Sequence, residues 1–144
     1  MRIREIIQGK GGSVVTVHPD RTVLEAMQVL VEHGIGAVVV TRGDEIAGIM
    51  SERDVLRLGA ASPAALETTR VADAMTRDLI VGVPDDDLQY AMEIMTKNRI
   101  RHLPIVENDR LAGMLSIGDV VNALRSHVES ENRHLRGYIQ GIPS

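Results

Sequence analysis

A chain of 144 residues is the length of a single domain and can bury roughly 70% of its unfolded surface. With 44% apolar and 25% charged residues it has a globular composition, and a net charge of −4 provides no field to attract nucleic acid. The absence of cysteine excludes disulfides, thiol chemistry and cysteine-ligated metal, and Tyr90 and Tyr138 as the only aromatics remove the stacking platforms of single-strand binders.

In chain order, Met1 to Gly12 is charged and carries no apolar run of the length a secretory signal needs. Val14–Val17 is a short β-branched strand, and Pro19-Asp20 a turn. Thr22 caps a helix in which Val23, Ala26, Met27 and Leu30 follow the i, i+3, i+4, i+7 pattern, and Gly34 ends it. Ala37–Val40 is a strand, Gly43-Asp44 a hairpin turn, and Ile46–Met50 the return strand. Ser51 opens a second helix that runs to about Ala60. A linker follows over Ser62–Thr69, then a turn of helix over Val71–Met75. The second half gives strands at Ile80–Val83, Leu103–Val106 and Leu111–Leu115, a helix carrying Leu88, Ala91, Met92 and Met95, and a last helix from Ser116 to about Ile139. The longest apolar runs, around Ala37–Val40, are far too short to span a membrane. The expectation is a cytoplasmic protein that meets neither membrane nor nucleic acid.

The chain repeats itself. Shifted by 65 residues it falls on itself without a gap, with identities at Pro19, Asp20, Ala26, Met27, Ile35, Asp44, Ala47, Gly48, Ser51, Asp54 and Val55. An ungapped register of that length is the signature of a duplicated unit. Repeat one spans about 8–61, a linker 62–70, repeat two about 71–126, and a helical extension 127–140. Each unit is β-α-β-β-α, a small sheet with helices on one face. The expected fold is α/β (α+β), a single module in which two pseudo-symmetric repeats pack through their sheets and leave two related clefts.

The chemistry gathers at Gly48-Ile49-Met50-Ser51-Glu52-Arg53-Asp54 and its echo Gly113-Met114-Leu115-Ser116-Ile117-Gly118-Asp119. In each, a strand runs into a helix that begins with serine and has a carboxylate three residues on. One reading is a capping box, serine and acid satisfying the free N–H groups of the helix. The other is a ligand site: the helix N-terminus and hydroxyl face an anion, and the aspartate takes both hydroxyls of a ribose. The two readings can coexist. Basic residues break the symmetry. Repeat one has Arg53 where repeat two has Gly118, and repeat two has Arg99, Arg101 and His102 where repeat one has Gly34, Gly36 and Ala37. Arg101-His102 precedes the apolar run Leu103-Pro104-Ile105-Val106, which puts two phosphate donors at the mouth of a strand. Solvated arginines are the plainer alternative. The two clefts are expected to differ.

These residues resemble the cystathionine-β-synthase (CBS) domain pair, or Bateman module, over about Ile3 to Val121. The specific elements are the doubled Gly-x-x-Ser-x-x-Asp pattern with Arg101-His102-Leu103-Pro104. Ile35-Gly36-Ala37-Val38-Val39-Val40, Ser51-Glu52-Arg53-Asp54 and Ser116-Ile117-Gly118-Asp119-Val120-Val121 are similar to those of stand-alone bacterial two-CBS proteins. The resemblance implies a regulatory module that binds AMP, ATP, NAD(H) or S-adenosylmethionine, and modules paired side by side in a disk. It implies that Asp54 and Asp119 take the ribose and that Ser51 and Ser116 face phosphate. Gly118 departs from the polar residue often found there, so phosphate binding in that cleft would fall to Arg101 and His102. Without aromatics, the adenine is expected between Val15, Val17, Ile35 and Ile100. The candidate nucleotide-binding set is completed by Gly36, Ala37, Arg53, Leu103, Pro104, Ile117 and Gly118.

No constellation for catalysis or metal binding stands out. Of His18, His33, His102, His127 and His134, only the last two share a helix face, and that pair reads as solvated. The functions kept open are a nucleotide sensor and a structural dimer or partner adaptor with degenerate clefts. Apolar residues at Val121, Leu124, Val128, Leu135 and Ile139 form a helical stripe expected to hold a homodimer, or else to fold back over the module.

Overall fold

The computed structural model describes residues 1–10 and 14–126. Repeat one comprises β1 (Thr16–Val17), α2 (Val23–His33), β2 (Ala37–Arg42), β3 (Glu45–Ser51) and α3 (Glu52–Ala61), preceded by α1 (Ile3–Gly9). After the short α4 (Ala65–Thr68) and α5 (Val71–Ala74), repeat two comprises α6 (Leu88–Asn98), β4 (His102–Glu107), β5 (Arg110–Ser116) and a helix, α7, described over 117–126.

The hairpins form where the sequence predicts them. β2 and β3 pair antiparallel from Ala37↔Ser51 to Arg42↔Glu45, with a register shift at Val40/Thr41, and Gly43 at φ 59° supplies the left-handed turn residue. The β4–β5 hairpin repeats this register, with its shift at Ile105/Val106 and a turn through Asn108 and Asp109, both at positive φ. Val38 and Val40 face one side of β2 and join a core with Val23, Ala26, Leu30, Met50 and Val55. Val39 on the opposite face is equally buried, so this strand is covered on both sides, which an unbroken apolar run requires. Repeat two builds its own core from Leu88, Ala91, Met95, Leu103, Ile105, Leu115 and Val120. The repeats meet along β3 and β5.

α2 is closed at both ends by local chemistry. The Thr22 hydroxyl accepts from Glu25 N–H, and Gly34 takes the left-handed conformation that ends the helix. In α6 the same C-terminal position is Arg99 at φ 55°, a conformation that disfavours a residue with a β-carbon.

Two expectations change. Val14–Val17 shortens to the two-residue β1, parallel to β2. Ile80–Val83 does not form a strand and keeps only the parallel bridge Gly82↔Ile105. Glycine stands there because a β-carbon would lie 3.0 Å from Leu103 and 3.1 Å from Ile105.

The leading helices cross over, a feature that no expectation covered. Val71 and Ala72 N–H donate to the carbonyls of Arg21 and Pro19, so α5 is tied to repeat one; Ile3 and Arg4 N–H donate to Asp86 and Pro84, so α1 is tied to repeat two. The two sets of bonds correspond residue for residue. Ile3 is fully buried in the second core, with Ile6 and Ile7 packed beside it, and Val71 is fully buried in the first. Each core therefore contains a segment that precedes the other repeat, which binds the two into one unit. Of the expected C-terminal stripe, Val121 is exposed and Leu124 packs on the second core; Val128, Leu135 and Ile139 lie outside the described residues.

Candidate functional site between the repeats

Both Ser-x-x-Asp motifs are complete capping boxes. Asp54 N–H donates to Ser51 Oγ (3.3 Å) and Ser51 N–H to Asp54 Oδ2 (2.9 Å). The second copy repeats this with Asp119 N–H to Ser116 Oγ (3.1 Å) and Ser116 N–H to Asp119 Oδ2 (2.8 Å). What differs is what lies beyond each carboxylate.

In repeat one the surroundings are closed. Asp54 is buried, 7% exposed, and Thr76 Oγ1 lies 3.4 Å from its Oδ1. Thr76 is itself fixed by a reciprocal backbone pair with Ile49, at 3.0 and 2.9 Å. Met75 lies so close over Gly48 that a β-carbon there would sit 2.7 Å from its sulfur.

In repeat two the chain arrives differently. Ile7 covers Gly113, as Met75 covers Gly48, but α1 makes no backbone pair with β5 among the described residues. The side chain of Lys10 reaches in instead: Nζ donates to the Met114 carbonyl (2.8 Å) and to Asp119 Oδ2 (2.9 Å). Between the repeats a cavity of about 520 Å³ remains. Repeat one lines it with Val14, Val15, Gly34, Ile35, Gly36, Ala37 and Glu52. Repeat two contributes Arg101, His102, Ala112, Gly113, Met114, Ser116, Ile117, Gly118 and Asp119, and α1 contributes Ile7 and Lys10. Gly36 keeps the cavity open, since a β-carbon would lie 2.8 Å from Glu52 Oε1 and 3.2 Å from the His102 ring.

The electrostatics suit a ligand that is part polar and part apolar. Burial, helped by Arg101 and Lys10, holds His102 below its ordinary value of 6.5 against the opposing pull of Glu52 and Asp119. For Asp119, burial alone would raise the carboxyl, but the hydrogen bonds from Lys10 and Ser116, with the Lys10 charge, outweigh it and hold the group below 3.8. The cavity thus offers a carboxylate acceptor, a guanidinium and an imidazole, facing aliphatic walls. That combination can grip a hydroxylated, anionic group and cover a flat apolar one.

Of the sequence-derived candidates, Val15, Ile35, Gly36, Ala37, Arg101, His102, Ser116, Ile117, Gly118 and Asp119 come together here. Val17 is instead in the first core, and Ile100 packs against the second. Leu103 and Pro104 are buried within β4, Arg53 is exposed on α3, and Ser51 and Asp54 form the closed cap of repeat one. Lys10, Ile7 and Glu52 were not anticipated. The spacing of Ile3, Ile6 and Ile7, echoed by Val71, Ala74 and Met75, would have revealed α1. Among the described residues, no group of three or more His, Cys, Asp or Glu is placed to hold a metal ion, and no helix is long and apolar enough to cross a membrane.

Comparison with known proteins agrees with this architecture. The CBS domain family model matches twice, at residues 4–61 and 71–126. A mitochondrial CBS domain-containing protein of Arabidopsis thaliana is 38% identical over 148 aligned positions, covering 96% of this chain and 72% of the relative. The crystal structure of the CBS-domain containing protein ATU1752 from Agrobacterium tumefaciens superposes with a TM-score of 0.81 at 43% identity, over 85% of this chain and 98% of that one. The CBS domain pair of protein MJ0100, solved in complex with 5-methylthioadenosine and S-adenosyl-L-methionine, shares the fold at a TM-score of 0.74 and 20% identity, over 86% of this chain and 99% of that one. Two family matches, one on each internal repeat, leave no ambiguity: the chain belongs to the CBS domain family, as a tandem pair.

Proposed function

We propose that the module is a non-catalytic sensor that binds one adenine nucleotide, such as AMP, ATP or NAD(H), in the cavity between its repeats. One observation carries the reading: Asp119, Ser116, Arg101 and His102 converge with the aliphatic side chains of Val15 and Ile35 on one 520 Å³ space. Asp119 takes the ribose hydroxyls, Arg101 and His102 face phosphate, and the adenine lies against the aliphatic wall. The adenosine ligands of the MJ0100 pair lend support at the level of fold. The test is ligand-induced thermal stabilisation against AMP, ATP, NAD and NADH. A ligand at 100 times its dissociation constant adds about 2.7 kcal/mol to stability. A melting transition indifferent to all four overturns the proposal.

The module is further proposed to act as a homodimer. Val31 on α2 and Leu56 on α3 are 78% and 70% exposed, and Tyr90 and Val121 about half; these helix-borne apolar side chains are the surface that a second copy would cover. Sedimentation should give twice the 15.7 kDa chain mass; a monomer at tens of micromolar removes this part of the reading.

A further inference from the structure

Lys10 fills in repeat two both of the places that Thr76 fills in repeat one. Thr76 donates its backbone N–H to the Ile49 carbonyl and places its hydroxyl against Asp54. Lys10 Nζ donates to the Met114 carbonyl and to Asp119, and Met114 and Asp119 are the repeat-two counterparts of Ile49 and Asp54. The two closures differ in kind. Thr76 is held by a reciprocal backbone pair, whereas Lys10 is a side chain, 45% exposed, that ends in a single ammonium group. A rotation about its side-chain bonds is enough to withdraw it.

The carboxylate itself sets up a competition. An ionised carboxylate oxygen has two in-plane lone pairs, and those of Asp119 Oδ2 are taken by Ser116 N–H and Lys10 Nζ. A diol that engages both oxygens of Asp119 must therefore take the place of the ammonium. A ligand that does not use the carboxylate leaves Lys10 where it is.

We infer that Lys10 is a displaceable plug in the open cavity, standing on the carboxylate that a vicinal diol would occupy, and that it sets the cavity's selectivity for such ligands. Repeat one, closed by backbone, takes none, so each chain binds one ligand. The inference rests on the nucleotide reading of the cavity.

The experiment is calorimetric titration of wild type, K10M and K10Q with adenosine and with 2′,3′-dideoxyadenosine. Releasing an exposed ion pair should tighten adenosine binding about two- to fivefold in both variants. Dideoxyadenosine, which lacks the diol, should bind all three proteins equally, and the stoichiometry for adenosine should be one per chain. Equal or weaker adenosine binding by the variants, where wild type binds, overturns the plug alone. An equal gain for both ligands also overturns it, since a loosened α1 would act on either. If no form of the protein binds adenosine, the nucleotide reading falls and the plug falls with it. K10Q keeps a polar side chain without the charge and carries the test if K10M does not fold.

Discussion

Replacing each motif aspartate by alanine separates the two repeats, because identical caps sit in different surroundings. In Asp119→Ala the variant loses a charged acceptor for the ribose, worth about 1.5–3 kcal/mol, a ten- to 150-fold loss of affinity at about 1.4 kcal/mol per decade. It also loses a helix cap, about 1 kcal/mol of stability. Asp119 is only partly exposed, and its partner Lys10 is left free to turn to solvent, so the fold should tolerate the change. Asp54→Ala should do the reverse. It removes the same cap together with the buried carboxylate that Thr76 Oγ1 faces, so about 1–2 kcal/mol of stability should go, with affinity unchanged. Calorimetric titration with AMP beside thermal melts of both variants reads the two effects independently. If Asp54→Ala weakens binding as Asp119→Ala does, or if Asp119→Ala binds as wild type, the assignment of the ligand to repeat two is wrong.

Other consequences are open to direct measurement. The folded-state value of His102 lies below its ordinary 6.5, so the unfolded chain binds the extra proton first. Its contribution to stability is full above 6.5 and is lost as pH falls below it. The melting temperature should drop as pH falls below 6.5, and His102→Gln should flatten that part of the profile; an unchanged slope contradicts the burial argument. Gly48→Ala should cost about 1–3 kcal/mol, because the new methyl meets Met75 Sδ and the Thr76 carbonyl at 2.7 Å; a variant as stable as wild type means that the closure of repeat one is loose. Arg99→Gly should raise stability by about 1 kcal/mol by relieving the left-handed cap at φ 55°; chemical denaturation would show no gain if local contacts of Arg99 offset the strain.

The sequence was most informative where a local rule and the duplication agreed. Thr22, Gly34 and Gly43 mark their boundaries by chemistry that acts within a few residues, and the structure puts a cap, a helix end and a turn at those positions. The doubled Ser-x-x-Asp motif was legible for the same reason. Its two copies differ in their surroundings through residues far away in the chain. Lys10 lies 109 residues from Asp119, and Thr76 lies 22 from Asp54. Neither partner could be read from the motif. The assignment of Val15 and Val17 together to the ligand followed from placing both on one face of a longer strand, whereas Val15 precedes the two-residue β1 and lines the cavity, and Val17 is buried in the first core. The missing strand at Ile80–Val83 has a related cause: Gly82 occupies the position of Val17, and Leu103 and Ile105 leave no room for a side chain there.

The account is tested most directly by following backbone amide resonances while AMP is added. Binding in the inter-repeat cavity predicts saturable shifts centred on Val15, Ile35, Gly36 and the stretch from Ser116 to Asp119, with Ser51, Asp54 and Thr76 unmoved. Shifts centred on Ser51 and Asp54, or a spectrum that AMP leaves unchanged, would contradict it.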